Sequence, residues 1–287
     1  MQGLVIKKAY DCYVEDISGK KFIDTTMGSG AQIIGHRNSL IRRAATQIKN
    51  GSIYTIPNCY TDDVNSYLKE YINPDFDDSY IFCSTGTEAN MRAIRLARAY
   101  TGRDKIGRFH GGWHGGLDGF LEEHPDNKGI PSSVDALFKV LPYNDDACLE
   151  LITSDMAAVI IEPVQGSNPR SDIREFLQKV RNRCTEMGVL LIFDEVMTGF
   201  RLSAKGGSDI FQIRPDIVTY GKVLGAGFPI GVVGGLPDIM KTKNVFYGGT
   251  FSANPLSMYA AKLILETIIG NHFIKYDKLN DSGEAFR

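Results

Sequence analysis

The sequence predicts an α/β protein with a mainly parallel central sheet sandwiched by helices, and three observations carry that prediction. From about residue 80 onward, short apolar runs alternate with longer amphipathic stretches, the pattern of repeated strand–helix units. The short runs, such as "AAVII" at 157–161 and "VLLIF" at 189–193, are apolar throughout, as expected when both faces of a sheet are covered. The chain has 287 residues, 43% of them hydrophobic, which suffices for one large core or two smaller ones.

The elements follow in order. "DCYVEDISGKKFIDTT" (11–26) alternates as a hairpin turning at Ser18 and Gly19, and "NSLIRRAATQIKNG" (38–51) reads as a helix ending at Gly51. "YIFC" (80–83) is a strand and "TGTEANMRAIRLARAYTG" (85–102) a helix; Arg92, Arg95 and Arg98 read as its solvated face. "KIGRF" (105–109), "FKVLPY" (138–143) and "AAVIIEP" (157–163) are strands, followed by the helix "SDIREFLQKVRNRCTEMG" (171–188). "VLLIFDE" (189–195), "DIVTYG" (216–221) and "IGVVGG" (230–235) are further strands, and "NPLSMYAAKLILETIIG" (254–270) is a closing helix.

Composition narrows the function. A net charge near −2, with no basic stripe, gives no reason to expect nucleic acid. The apolar runs are too short to span a bilayer, and the N-terminus lacks the apolar region of a signal peptide. Cys12, Cys59, Cys83, Cys148 and Cys184 are scattered and form no C-x-x-C, which favours reduced thiols in a cytoplasmic protein.

In sheets of this kind, ligands gather beyond the carboxyl ends of the strands. Glu162, Asp194 and Lys222 all fall at that end of their predicted strands. Lys222 is unusual there, because a buried ammonium is costly; either it snorkels to water or it serves as a neutral amine. In "CSTGTEAN" (83–90), Thr85 and Glu88 have capping-box spacing, while Gly86 and Thr87 could cradle a phosphate at the helix start; an ordinary capped helix is the plainer alternative. Asp194 could hold a heteroaromatic N–H protonated or merely cap the next turn. "FHGGWHGGLDG" (109–119) exposes Trp113 between glycines, where it could stack on a flat ring or simply fill core. His110 and His114 are four apart, but glycines and the missing H-E-x-x-H argue against zinc. "YGGTFSANP" (247–255) is a glycine-rich turn with Thr250 at its crest.

Taken together, "STGTEANMRAIRLARAYTGRDKI", "GGWHGG", "IIEPVQG", "LLIFDEVMTGFR", "GKVLGAGFPIGVVGG" and "GGTFSANP" resemble the class III, subgroup II family of PLP-dependent aminotransferases, nearest its aminomutase branch. Other branches usually have glutamine in place of Met197. The resemblance implies the PLP-dependent transferase fold type I, with pyridoxal 5'-phosphate as cofactor. Thr85, Gly86 and Thr87 would hold the phosphate, Trp113 would stack on the ring, and Val196 would pack beneath it. Asp194 would pair with the ring nitrogen, His114 and Glu162 would lie around it, and Lys222 would form the Schiff base. Asp194 and Lys222 are thus the catalytic pair. Gly249 and Thr250 would reach a phosphate across a homodimer interface, giving shared active sites, and Ser29 would stand at the substrate entrance. The partners would be a small-molecule amino donor and a carbonyl acceptor.

The expected organisation is an N-terminal segment (1–52), a large PLP-binding domain (53–255) and the start of a helix (256–287) leading to a small domain expected to be absent. Two alternatives remain open. One is a PLP-fold subunit without turnover, acting in binding or as a partner. The other is a nucleotide-hydrolysing α/β protein, although no G-x-x-x-x-G-K-[ST] loop is present.

Overall fold

The computed structural model describes residues 3–285 apart from 52, 55, 78, 122 and 271–273. Three short strands, β1 (Ile6–Tyr10), β2 (Tyr13–Asp16) and β3 (Lys21–Ile23), form an antiparallel sheet near the N-terminus. The turn between β2 and β3 is fixed by Asp16, whose Oδ1 accepts from the backbone N–H groups of Ser18 and Lys20, each at 2.9 Å. This is the expected hairpin.

The main sheet contains β4 (Ile81–Cys83), β5 (Lys105–Phe109), β6 (Phe138–Leu141), β7 (Met156–Ile161), β8 (Leu190–Asp194), β9 (Ile217–Tyr220) and β10 (Gly231–Gly235). Their order is β4-β10-β9-β8-β7-β5-β6, and only β10 runs against its neighbours. Successive side chains on a strand point to opposite faces. On β7, Val159 and Ile161 enter one core while Ala158 and Ile160 enter the other. On β8, Leu191 and Phe193 oppose Ile192 in the same way. All six residues of β7 are buried, which explains why its sequence does not alternate. Each fully buried Ile or Leu contributes about 1.5–3 kcal/mol, so the two faces together supply most of the drive to fold.

The helix Gly86–Thr101 covers one face, packing on β4 and on β7 through β10. Its start is a true capping box: Thr85 Oγ1 accepts from Glu88 N at 3.1 Å, and Glu88 Oε2 accepts from Ser84 N at 2.8 Å. Gly102 ends it in the left-handed region at φ 68°. On the opposite side the helix Arg174–Met187 packs on β8 and closes at Gly188, again left-handed. The helix Pro255–Ile269 lies against Ser39–Ala45 and Cys59–Tyr67.

One sequence expectation is corrected. Arg92 does not belong to a solvated face; it is 2% exposed and donates to Phe82 O at 2.7 Å and to Gly248 O at 3.2 Å. A long cationic side chain can be buried when carbonyls receive its N–H groups, and here a carbonyl of β4 and one of the loop at Gly248 do so. Arg95 remains exposed and donates to Phe246 O.

Candidate active site

The parallel arrangement of β7, β8 and β9 brings three chain turns to one rim. Glu162 follows β7 directly, Asp194 is the last residue of β8, and Lys222 comes two residues after β9. Around them lies a cleft of about 550 Å³, lined also by Thr85, Gly86, Thr87, Asn90, Trp113, His114, Val196, Met197 and Phe228. That volume suits a ligand of cofactor size.

Asp194 is 2% exposed and hydrogen-bonded through both oxygens. Its Oδ2 accepts from Asn90 Nδ2 at 2.7 Å and lies 2.8 Å from His114 Nδ1, while Oδ1 accepts from Val196 N at 3.0 Å. Asn90 is fixed in turn, because its Oδ1 accepts from Thr219 Oγ1 at 2.7 Å and its Nδ2 also donates to His114 O at 3.0 Å. These bonds orient one carboxylate edge rigidly, and a carboxylate still has lone pairs for a further donor from the cleft.

Lys222 is half-buried and opens a short 3-10 turn with φ 41°. A left-handed lysine costs about 1–2 kcal/mol relative to ordinary backbone. The turn swings its side chain off the sheet and into the cleft wall. Burial pushes its pKa below the usual lysine value, although Asp194 and Glu162 pull the other way. Glu162 is itself displaced upward, by burial first and by the Asp194 charge second. Its carboxylate accepts from Trp113 N at 2.9 Å and Gly166 N at 3.3 Å, tying the Trp113 segment to β7.

The helix start supplies an anion site. Among the described residues, the N–H groups of Gly86 and Thr87 have no hydrogen-bond partner, as the first turn of a helix leaves them. Gly86 is explained as much by packing as by ligand approach: a Cβ there would lie 2.8 Å from Val196 Cγ1. Gly115, at φ 97°, closes the other wall, since a Cβ would fall 2.2 Å from Thr87 Oγ1. Trp113 is 57% exposed, so the indole is open on the cleft side rather than buried as core.

A flat ring bearing a phosphate needs an anion cradle, an aromatic wall, a buried carboxylate and an amine of lowered basicity. The cleft holds all four, so these residues fit pyridoxal phosphate.

The structure gathers Thr85, Gly86, Thr87, Trp113, His114, Glu162, Asp194, Val196 and Lys222 in this cleft. It does not gather the remaining three. Ser29 is exposed on a turn outside the lining, where Ala31 takes the inner position. Gly249 and Thr250 are exposed on a loop that does not line this chain's own cleft. The histidines separate as well: His114 meets Asp194, whereas His110 Nδ1 lies 2.6 Å from Glu123 Oε1.

Sequence reasoning missed Asn90 and Phe228, and read Met197 as a mark of the branch and not as part of the site. A signal existed for Asn90, an amide on the inward face of a helix between Ala89 and Ala93, both buried. A lone amide in such a stripe must find partners. Phe228 carried no comparable signal.

Comparison with known proteins gives a consistent result. Residues 1–285 match the model of the aminotransferase class-III family. A glutamate-1-semialdehyde 2,1-aminomutase of Methanothrix thermoacetophila is 37% identical, over 98% of this chain and 68% of its own. An omega-transaminase from Sphaerobacter thermophilus superposes with a TM-score of 0.84 at 30% identity, covering 92% of this chain and 66% of the other. A transaminase solved with PLP bound gives the same TM-score and identity, over 92% and 67%. The chain thus spans roughly two thirds of the length of the relatives it matches. No helix among the described residues is long and apolar enough to cross a membrane.

Proposed function

This chain belongs to the aminotransferase class-III family, and on that premise we propose that it moves an amino group between small molecules on a pyridoxal phosphate seated at the rim of β7, β8 and β9. The observation that carries this reading is the pairing of two groups at neighbouring strand ends: a buried, fully oriented Asp194 and a half-buried Lys222 of lowered basicity, both lining one cleft.

When bound, the cofactor supplies an aldehyde carbon that carries the amino group and an electron-poor ring that draws charge from the substrate. The protein's residues do the rest. Asp194 would hold a proton on the ring nitrogen, with Asn90 and His114 keeping its carboxylate aimed. Gly86 and Thr87 would bind the phosphate through backbone N–H groups and the Thr87 hydroxyl. Trp113 and Val196 would clamp the ring faces. Lys222, its basicity lowered by burial, would take the proton from the substrate carbon bearing the amine and return it.

The finer reading is an aminomutase. A relative named for glutamate-1-semialdehyde, 37% identical, supports a substrate of that class, with both half-transfers on one carbon skeleton. Two copies of the chain would complete each site, Gly249 and Thr250 of one reaching the phosphate of the other, and Ser29 would stand at the entrance. Phe246 and Phe251, 76% and 61% exposed on the same loop as Thr250, support an interface there.

The test is to add pyridoxal phosphate to the purified protein, reduce with borohydride and map the labelled peptide. Label at Lys222, with a visible band that changes on adding glutamate semialdehyde, is the expected result. Label on another lysine, or none, ends the proposal. Label at Lys222 with an unchanging band would leave a binding subunit without turnover.

A further inference from the structure

We propose that Met197 is a positioning residue for Lys222: its thioether braces the amine in the cleft wall without offering an acceptor strong enough to hold a proton there. This rests on the reading of Lys222 as the reacting amine.

The geometry is specific. The Sδ of Met197 lies 3.9 Å from Lys222 Nζ, and among the described residues no carboxylate lies within ion-pair distance of that amine. Met197 is held from two sides. A Cβ on Gly30, which sits at φ 84°, would fall 2.7 Å from its Sδ, and a Cβ on Gly166 would fall 3.7 Å from its Cε. Gly30 is itself tethered, because its carbonyl accepts from Arg201 Nη2. The turn at Gly30, the segment at Gly166 and the rim after β8 therefore form a slot that the Met197 side chain fills.

The chemistry of the filler matters. A thioether is a weak acceptor and a good contact surface. An amide or carboxylate of similar length would reach the same place and favour the ammonium. The charged groups acting on Lys222 are Asp194 and Glu162, which favour its protonated form, and Arg201, which disfavours it. Against two carboxylates, a neighbour with no appetite for the proton avoids adding to the pull toward the ammonium, and so favours the neutral form that attack and proton transfer both need. It also leaves the amine free to move, since a contact of this kind is easily broken.

The experiment uses the cofactor-free protein and reads Lys222 alone. Its acylation by acetic anhydride is followed against pH by peptide mass spectrometry, giving a titration midpoint. In Met197→Gln the midpoint should rise by about one pH unit, which is about tenfold in proton affinity. In Met197→Glu it should rise further, and in Met197→Leu, similar in size but without an acceptor, it should stay at the wild-type value. Should either polar variant not fold, wild-type protein treated with mild peroxide gives a Met197 sulfoxide, whose oxygen is a strong acceptor, and its midpoint should rise likewise. Midpoints unmoved by Gln, Glu and the sulfoxide, or moved as far by Leu as by Gln, overturn the proposal. This outcome is independent of cofactor trapping: failure to trap pyridoxal phosphate on Lys222 refutes the functional reading, whereas an unmoved midpoint refutes only the role of Met197.

Discussion

The rim of β7, β8 and β9 and the loop from Phe246 to Ser252 differ in almost every physical respect. At the rim, Asp194 is buried and bonded through both oxygens, and its partners Asn90 and Thr219 are themselves bonded. On the loop, Thr250 faces solvent between two exposed phenylalanines, while Arg92 donates to Gly248 and Ser252, Arg95 donates to Phe246, and Tyr247 packs against the core. A preorganised cluster is complete within one chain. The exposed loop presents Thr250 to solvent, as the proposed service to a neighbouring copy requires.

The most severe way to break that contrast is to remove the amine at the rim. Lys222→Ala should lower the rate of amino transfer by roughly 10²–10⁴-fold, the range for losing a positioned proton-transfer group. Its melting temperature should change little, because Lys222 has no ion pair among the described residues. Retention of wild-type rates would remove Lys222 from the chemistry.

Next in size is the loop. Thr250→Ala should weaken retention of pyridoxal phosphate by roughly tenfold, the order expected for one hydrogen bond to a charged group. Mixing the two variants sharpens the comparison. If Thr250 serves the partner, a dimer of one Lys222→Ala chain and one Thr250→Ala chain contains one fully intact site and regains activity. If the loop serves its own chain, no intact site forms and the mixture stays as weak as its parts.

A smaller effect tests the wall between the two regions. Gly86→Ala would drive a methyl against Val196, 2.8 Å away, and should cost about 1–3 kcal/mol in stability by chemical denaturation. An unchanged denaturation midpoint would mean that the helix start gives way more easily than the packing implies.

The smallest is a pH effect at Glu162. Its pKa is raised in the folded state, so between the ordinary glutamate value of about 4.3 and the folded value the native form binds more protons than the unfolded one. Stability contributed by this group is therefore present at low pH and lost as pH rises through that window. Glu162→Gln should flatten the decline in melting temperature across it. A decline of the same slope in the variant would place the titration elsewhere.

Much of this was legible in the sequence, for identifiable reasons. Both faces of β7 are covered, and "MAAVII" states that by having no polar residue. The capping box at Thr85 and Glu88 is a local event, so local spacing reveals it. Arg92 was misread because burial of a guanidinium depends on carbonyls at Phe82 and Gly248, far apart in the chain. The reversal of β10 was equally hidden, since apolar runs show that a strand is covered and not which way it points. Thr250 and Ser29 were expected beside the ligand on resemblance alone, and in a single chain neither lines the cleft.

Gly115 has a consequence for anyone wishing to redirect this protein toward other substrates. Every side chain larger than hydrogen there would collide with the backbone of residue 87 as well as its hydroxyl, the nearest backbone atom being 2.8 Å from the added carbon. Diversity libraries that include position 115 would spend most of their members on chains that cannot close the phosphate end. Randomisation belongs instead along the Ser167 and Phe228 edge, where both residues border the cleft and neither contributes a hydrogen bond to the Asp194 cluster.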